Sequence, residues 1–192
     1  VETAETQAAL SVINYASKLC AQMDVQPIYL VGSEFGAEVL PVLTESIRET
    51  YASAGKVDKF NPELVRYVSG EQMTFAAGAM GIAARENVAS CLLIGPWKAS
   101  YIPLAIACRD TGAMICGGTS RVVMIPMFVA FSDFLLMGEE VFAASAYLSA
   151  EPAQAATIAT QDFGKLAAIA ILVIGAVLAA LGFPQIINLL KA

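Results

Sequence analysis

The residues best suited to bind a ligand lie in four short corners, each of which directly follows a predicted strand. The corners are Gly32-Ser33-Glu34, Ser69-Gly70-Glu71, Gly95-Pro96-Trp97-Lys98 and Gly117-Gly118-Thr119-Ser120-Arg121. Backbone N–H groups in such turns can bind an anion, and hydroxyl, Lys and Arg side chains add further donors. We therefore predict a small anionic ligand at Ser33, Ser69, Thr119, Ser120 and Arg121. The alternative is structural, because small and polar residues also make tight turns without a ligand.

Acidic side chains around residue 139 form a second candidate site. Glu139 and Glu140 adjoin, and Asp133 precedes them by one to two helical turns. Such carboxylates could bind a divalent cation or act as general acid and base. Adjacent residues on a helix point about 100° apart, however, so the two glutamates do not converge. We therefore expect helix-surface charge here and predict no metal site.

The histidine and cysteine content excludes several catalytic and metal-binding classes. The chain has no histidine, which excludes Ser-His-Asp and Cys-His catalysis, histidine-ligated haem and histidine-containing zinc sites. Its four cysteines, Cys20, Cys91, Cys108 and Cys116, are widely spaced and form no CxxC motif. We expect buried, reduced thiols, which favours the cytoplasmic side of a membrane. We predict no catalytic residue and no cofactor, because an enzyme would need carboxylate, Lys, Tyr or Cys chemistry and no such set converges.

The charge balance argues against nucleic acid as a partner. The net charge is -6, and the basic residues form no cluster that could neutralise phosphates. Neither GxGxxG after a strand nor GxxxxGK[ST] occurs, so neither nucleotide-binding fingerprint is met.

The hydrophobic pattern predicts strands that alternate with helices. Helices are predicted at 3–23, 33–55, 71–86, 101–112 and 132–149, and strands at 27–32, 65–69, 89–95, 113–118 and 122–128. The last two are either separate strands or one bent strand. Glu5 lies in the first turn of the first helix, where the helix dipole favours an anion. Short, continuously apolar strands indicate a sheet that is covered on both faces. The predicted fold is therefore α/β, a Rossmann-like layered domain with a mostly parallel sheet, plus one C-terminal transmembrane helix.

Two groups of residues are candidates for contacts with other proteins. The predicted helix 71–86 contains Gly78 and Gly81, although Gly costs a helix about 1 kcal/mol relative to Ala. Something must therefore pack very close to this backbone, either a sheet of the same chain or another subunit. Trp97 and Tyr101 are candidates for an interface, where aromatic residues are enriched, or for simple core packing.

The C-terminal region has the composition of a membrane span. The chain is 57% hydrophobic and 15% charged, and no charged residue occurs between 166 and 190. Because a bilayer core needs roughly 20 apolar residues of helix, we predict one transmembrane helix at about 166–185. The predicted domains are an α/β domain at 1–160 and a segment at 161–192 that contains a juxtamembrane connector, this helix and a short tail. The chain begins without Met, so we expect that its start was processed or that residues upstream are missing.

Three stretches resemble a known family. They are "FAAGAMGIAARE" at 75–86, "TGAMICGGTSRVVMIPMFVAFSDFLLMGEEVFAASAYLSAEP" at 111–152 and "QDFGK" at 161–165. In these motifs the chain resembles an uncharacterised prokaryotic family of membrane-attached α/β domains, a domain-of-unknown-function family. The resemblance covers about residues 5–185 and implies the same order of elements, without an established reaction. It also implies a longer N-terminus with a further membrane segment.

Two functions follow as expectations. The first, which we favour, is a membrane-anchored structural or assembly subunit that self-associates or docks on a larger membrane protein complex. Its partners would be the lipid bilayer and other subunits or copies of the chain. The alternative is a membrane-attached domain that binds or senses a small anionic metabolite or nucleotide at the strand ends. In both cases we expect the soluble domain on the cytoplasmic side.

Overall fold

The computed structural model of the protein describes residues 2–32, 36–149 and 152–180. The chain divides into two compact units, Val1–Ser149 and Ala150–Ala192. The described helices of the first unit are α1 (Glu2–Gln22), α2 (Gly36–Ser53), α3 (Gln72–Glu86), α4 (Tyr101–Asp110), α5 (Ile125–Phe131) and α6 (Glu140–Ser149). Its described strands are β1 (Tyr29–Gly32), β2 (Val65–Ser69), β3 (Ser90–Ile94), β4 (Met114–Thr119) and β5 (Phe134–Met137).

All pairs formed by the described strands are parallel, which confirms the predicted α/β fold. β1 pairs with β2, and β3, β4 and β5 form a second sheet in that order. No described strand pair joins the two sheets. Paired parallel strands that follow each other in sequence need crossover connections, and α2, α4 and α5 provide them.

Two hydrophobic clusters hold the helices against the strands. The larger lies between β3, β4 and helices α3, α4 and α5, and includes Phe75, Leu93, Leu104, Ile115 and Phe128. The smaller lies between β1, β2 and helices α1 and α2, and includes Val31, Leu43, Ile47, Tyr51 and Val65. Helix α1 also contacts α6.

Local sequence signals explain where helix α3 begins and ends. The carboxylate of Glu71 accepts hydrogen bonds from the backbone N–H groups of Met73 and Thr74, which caps the first turn. The hydroxyl of Thr74 also donates to this carboxylate, and these bonds hold the pKa of Glu71 below its usual value. The helix ends at Asn87, which adopts the left-handed conformation.

The predicted elements are wrong in type between residues 122 and 137, whereas the helix predicted up to residue 149 is confirmed from Glu140 onwards. Residues 122–124 form a turn and Ile125–Phe131 is a helix, where a strand was predicted at 122–128. Pro126 lies in the first helical turn, where its fixed φ and missing N–H do no harm. The helix predicted at 132–149 begins only at Glu140, because Phe134–Met137 forms β5 and Gly138 turns the chain with a positive φ.

The second unit contains helix α7 (Pro152–Ala180). Its segment Ile158–Leu178 is the described part of the chain that is long and apolar enough to cross a membrane, as judged by length and composition. This segment starts earlier than the predicted span, and the predicted connector is helical from Pro152 onwards. It carries two charged residues, Asp162 and Lys165, whose side chains form an ion pair at 3.2 Å. The predicted residues 181–185 lie outside the described residues.

Candidate functional site

A cavity of about 460 Å³ lies at the carboxyl ends of β1 and β3. Both strands line it with their last residues, and no described strand pair joins the two sheets to which they belong. Ligands of open α/β sheets bind outside the carboxyl ends of the strands. We call this space the β1–β3 cavity.

The walls of the β1–β3 cavity are mainly apolar. Helices α1 and α2 contribute aliphatic side chains, and α3 and the loop after β3 contribute two aromatic rings. The apolar lining residues include Leu10, Ile13, Leu30, Val39, Leu43, Ile94, Phe75 and Trp97. Polar lining residues are fewer: Thr6, Gln7, Glu38, Gln72, Lys98 and Ser100.

Two glycines allow these walls to form. A Cβ on Gly32, the last residue of β1, would lie closer than 3.0 Å to the ring of Phe75, so only glycine leaves room for this ring. Gly95 has a φ of 141°, which side chains rarely allow, and it turns the chain at the end of β3. Its N–H donates to the carbonyl of Gly118 at 3.1 Å, which ties the turn to β4. Trp97 then contacts the Phe75 ring, with centroids 5.9 Å apart.

The cavity combines an apolar interior with isolated charges. Glu38 on α2 and Lys98 in the β3 loop are both exposed, whereas Ser100 is buried. This arrangement suits a ligand with an apolar body and a polar group, the usual composition of small-molecule sites. Among the described residues, no group of three or more Cys, Asp and Glu side chains is placed to hold a metal ion.

The corner at residues 117–121 is filled by a carboxylate from the same chain. Glu5 on α1 is fully buried, and its Oε1 accepts hydrogen bonds from the N–H of Ser120 at 2.7 Å and from the hydroxyl of Thr119 at 3.3 Å. The hydroxyl of Ser120 donates to Glu5 Oε2 at 2.8 Å. The donors predicted to bind an anionic ligand therefore bind the Glu5 side chain. Arg121 follows them, and its N–H donates to Thr119 Oγ1 at 3.2 Å.

Ser69, another predicted ligand-binding residue, takes part in a local turn. Ser69 is half-buried, and its hydroxyl accepts a hydrogen bond from the N–H of Glu71 at 3.2 Å within the turn before α3. Ser33 lies outside the described residues. Two of the four predicted corners, those after β1 and β3, do contribute to one site through Gly32 and residues 95–98.

The predicted interface residues have different environments. A Cβ on Gly78 would lie closer than 3.0 Å to Cγ1 of Val68, so this glycine lets α3 pack closely on β2 of the same chain. Gly81 is exposed, with no atom within 4 Å of such a Cβ. Tyr101 is fully buried and stacks on Phe128 with ring centroids 3.7 Å apart, so it belongs to the core.

The acidic side chains of Asp133 and Glu140, near residue 139, accept hydrogen bonds from backbone N–H groups. Asp133 Oδ2 accepts a hydrogen bond from the N–H of Ile115 at 2.7 Å, next to the β4–β5 pairing. Glu140 Oε2 accepts one from the N–H of Met137 at 2.9 Å, at the turn before α6. The first bond satisfies a backbone N–H of β4, and the second satisfies the N–H of the last residue of β5.

Comparisons with known proteins give a family but no close relative of known structure. No curated protein and no solved structure matches the chain. A family model does match, and it covers residues 1–190. The chain therefore belongs to the family described as a domain of unknown function, DUF6754.

Proposed function

We propose that this protein is a membrane-attached domain that binds a small amphipathic ligand in the β1–β3 cavity. The single observation that carries this proposal is that the last residues of β1 and β3 line a common cavity where strand pairing is interrupted. Its volume of about 460 Å³ lies within the range of small-molecule sites. Helix α7, which includes the candidate membrane span, would keep the domain at a bilayer.

The lining indicates the class of ligand. Aliphatic and aromatic side chains make up most of the wall, so most of the ligand surface should be apolar. Lys98 and Glu38 place one positive and one negative charge at the cavity. The positive charge suits a single carboxylate or phosphate on the ligand, and the negative charge suits an amine. The lining residues contain no cluster of cations, so a ligand with several phosphates fits less well than a monovalent one.

Trp97 supplies a direct test, because it is the only tryptophan of the chain and lines the cavity. The full chain in lipid nanodiscs would be titrated with amphipathic molecules that carry one carboxylate, phosphate or amine, and with nucleotides for comparison. We expect a saturable change in Trp97 fluorescence for members of the first series. If no compound of this series changes the fluorescence or the melting temperature, the proposal is wrong.

A pair of variants links binding to the cavity. Val39→Phe adds a ring to a half-buried lining residue of α2 and should weaken binding by roughly tenfold or more. Val57→Phe is the matched control, because Val57 is 50% exposed and does not line the cavity. Equal affinity in the two folded variants would contradict the assignment of the site.

A second candidate function is self-association, favoured by apolar side chains that are exposed near the sheet edge. Strand β5 is an edge of its sheet among the described residues, and Phe134 at its start is 62% exposed. Val122 and Val123, in the turn after β4, are 77% and 86% exposed. Exposed apolar edge strands invite pairing with another chain.

The mass of the detergent-solubilised protein tests this second function. We expect a dimer that Phe134→Lys or Val123→Glu converts to a monomer. Met23→Lys is the control, because Met23 is also exposed but lies in the turn after α1. A monomeric parent protein would exclude self-association through this edge without affecting the ligand proposal.

A further inference from the structure

Two of the four cysteines lie against each other in the larger hydrophobic cluster. Cys91 on β3 and Cys108 on α4 have their Sγ atoms 2.6 Å apart. Non-bonded heavy atoms pack at about 3.5–4.0 Å, and a disulfide bond measures about 2.05 Å. The two sulfur atoms are therefore closer than independent thiols pack, and a small movement brings them to bonding distance.

Cys91 and Cys108 lie on the faces of β3 and α4 that pack against each other. Cys91 is aligned with Ile115 on β4, which is fully buried, so both point to the face that α4 covers. Cys108 follows Leu104 on the buried side of α4 and is 1% exposed. Because side chains alternate along a strand, Cys116, aligned with Leu92, points to the opposite face.

The contact also shifts the pKa values of the two thiols in opposite directions. The hydrogen bond from Cys91 lowers the pKa of Cys108 against the opposing effect of burial. The same hydrogen bond, together with burial, raises the pKa of Cys91. Cys108 is therefore the sulfur that loses its proton more readily, and the thiolate is the reactive form of cysteine.

We propose that Cys91 and Cys108 are a reversible oxidation site, at which a peroxide converts the two thiols into an intramolecular disulfide. The Cys108 thiolate attacks one oxygen of hydrogen peroxide, the O–O bond breaks, and the sulfenic acid of Cys108 forms as hydroxide leaves and takes up a proton. The Cys91 sulfur then attacks the Cys108 sulfur, and the hydroxyl group leaves with the Cys91 proton as water. In total, two thiols and one peroxide give one disulfide and two waters, a two-electron oxidation of the sulfur pair.

The disulfide would link α4 to β3, the two elements that flank the loop lining the β1–β3 cavity. Cys91 lies in the strand that continues into Gly95, and α4 follows the loop that carries Trp97 and Lys98. Oxidation closes a loop between residues 91 and 108. A cross-link over a loop of this size should raise the melting temperature by roughly 5–10 °C.

The test uses the full chain in lipid nanodiscs, first reduced and freed of reductant, then treated with hydrogen peroxide. Remaining thiols are alkylated after denaturation, and the chain is cleaved with trypsin without reduction. Cleavage after Arg85, Lys98 and Arg109 places Cys91 in peptide 86–98 and Cys108 in peptide 99–109. We expect these two peptides to be recovered as one disulfide-linked species that dithiothreitol separates, and we expect the rise in melting temperature to disappear with it.

Cysteine variants test whether the disulfide forms specifically between Cys91 and Cys108. The double variant Cys20→Ser/Cys116→Ser should form the same linked peptides with the same rise in melting temperature, and Cys91→Ser should form neither. Should Cys91→Ser fail to fold, the double variant carries the test alone. Recovery of both peptides in alkylated form would overturn the proposal. Equal amounts of links to Cys20, Cys116 or a second copy would also overturn it.

Discussion

The two glycines of α3 allow one packing contact to be measured against an internal control. A Cβ at Gly78 would lie closer than 3.0 Å to Cγ1 of Val68, whereas one at Gly81 would have no neighbour within 4 Å. Neither glycine has a positive φ, so alanine fits the backbone at both positions. Alanine favours an interior helical position over glycine by about 0.8–1 kcal/mol, and this gain is shared by both substitutions.

The expected difference between the two substitutions comes from Val68. Val68 is half-buried on β2 and β-branched, so its χ1 angle has little freedom to move Cγ1 away. Overpacking of this kind costs about 1–3 kcal/mol. Gly81→Ala should therefore stabilise the fold by about 1 kcal/mol. Gly78→Ala should range from neutral to about 2 kcal/mol destabilising.

Thermal unfolding of the full chain in one detergent, followed by near-ultraviolet circular dichroism, measures both effects. About 2–4 °C corresponds to 1 kcal/mol in a domain of this size, so Gly81→Ala should melt a few degrees above the parent and Gly78→Ala at or below it. In a Val68→Ala background the clash is removed, and Gly78→Ala should become as stabilising as Gly81→Ala. Equal stabilisation by both alanines in the parent background would refute the close packing of α3 on β2.

Two further predictions concern charged side chains. Glu5→Ala should destabilise the fold by about 2–4 kcal/mol, because the N–H of Ser120 loses its acceptor and a void remains. Glu5→Gln should destabilise it by only about 1 kcal/mol. Equal melting temperatures of the alanine variant and the parent would contradict this role of Glu5. The ammonium groups of Lys59 and Lys56 lower the pKa of Asp24 to about 2, whereas the pKa of Asp in an unfolded chain is about 3.9. The ion pairs of Asp24 therefore stabilise the fold above about pH 4, and this stabilisation is lost as the pH falls towards 2. The difference in melting temperature between the parent and Asp24→Asn should therefore shrink over this range at low salt, and a difference that is constant with pH would contradict the ion pairing.

The sequence is sufficient to predict the parallel α/β fold, because its first elements carry strong and consistent signals. Residues 65–69 are a strand as predicted, and the first helix differs by one residue at each end. The errors occur where periodicity is ambiguous. Residues 122–128 are rich in β-branched and apolar residues, yet Pro126 suits the first turn of a helix better than the interior of a strand. The four residues of β5 are too few to display a period of two.

The site was predictable only in part, because it depends on contacts between distant residues. The corners after β1 and β3 were recognised from their small residues, but nothing local indicates that Phe75 of α3 fills the space beside Gly32. The position of Glu5 in the first turn of α1 predicts only a favourable interaction of its charge with the helix dipole. Its spacing of four from Ala9 and seven from Val12, both buried, is the signal that it lies on the buried face of that helix.

Glu5 and the β1–β3 cavity together explain why corners of similar sequence differ in what they can bind. The corner after β4 points its N–H and hydroxyl donors at a carboxylate on α1, and a ligand there would have to displace a buried side chain of the same chain. The ends of β1 and β3 line one cavity, are joined by no strand pair among the described residues, and carry glycines at 32 and 95, which have no side chains. A ligand gains affinity only from surface and donors that the folded chain has not already satisfied. On the function proposed above, we therefore expect a ligand at the ends of β1 and β3, and not at the most polar corner.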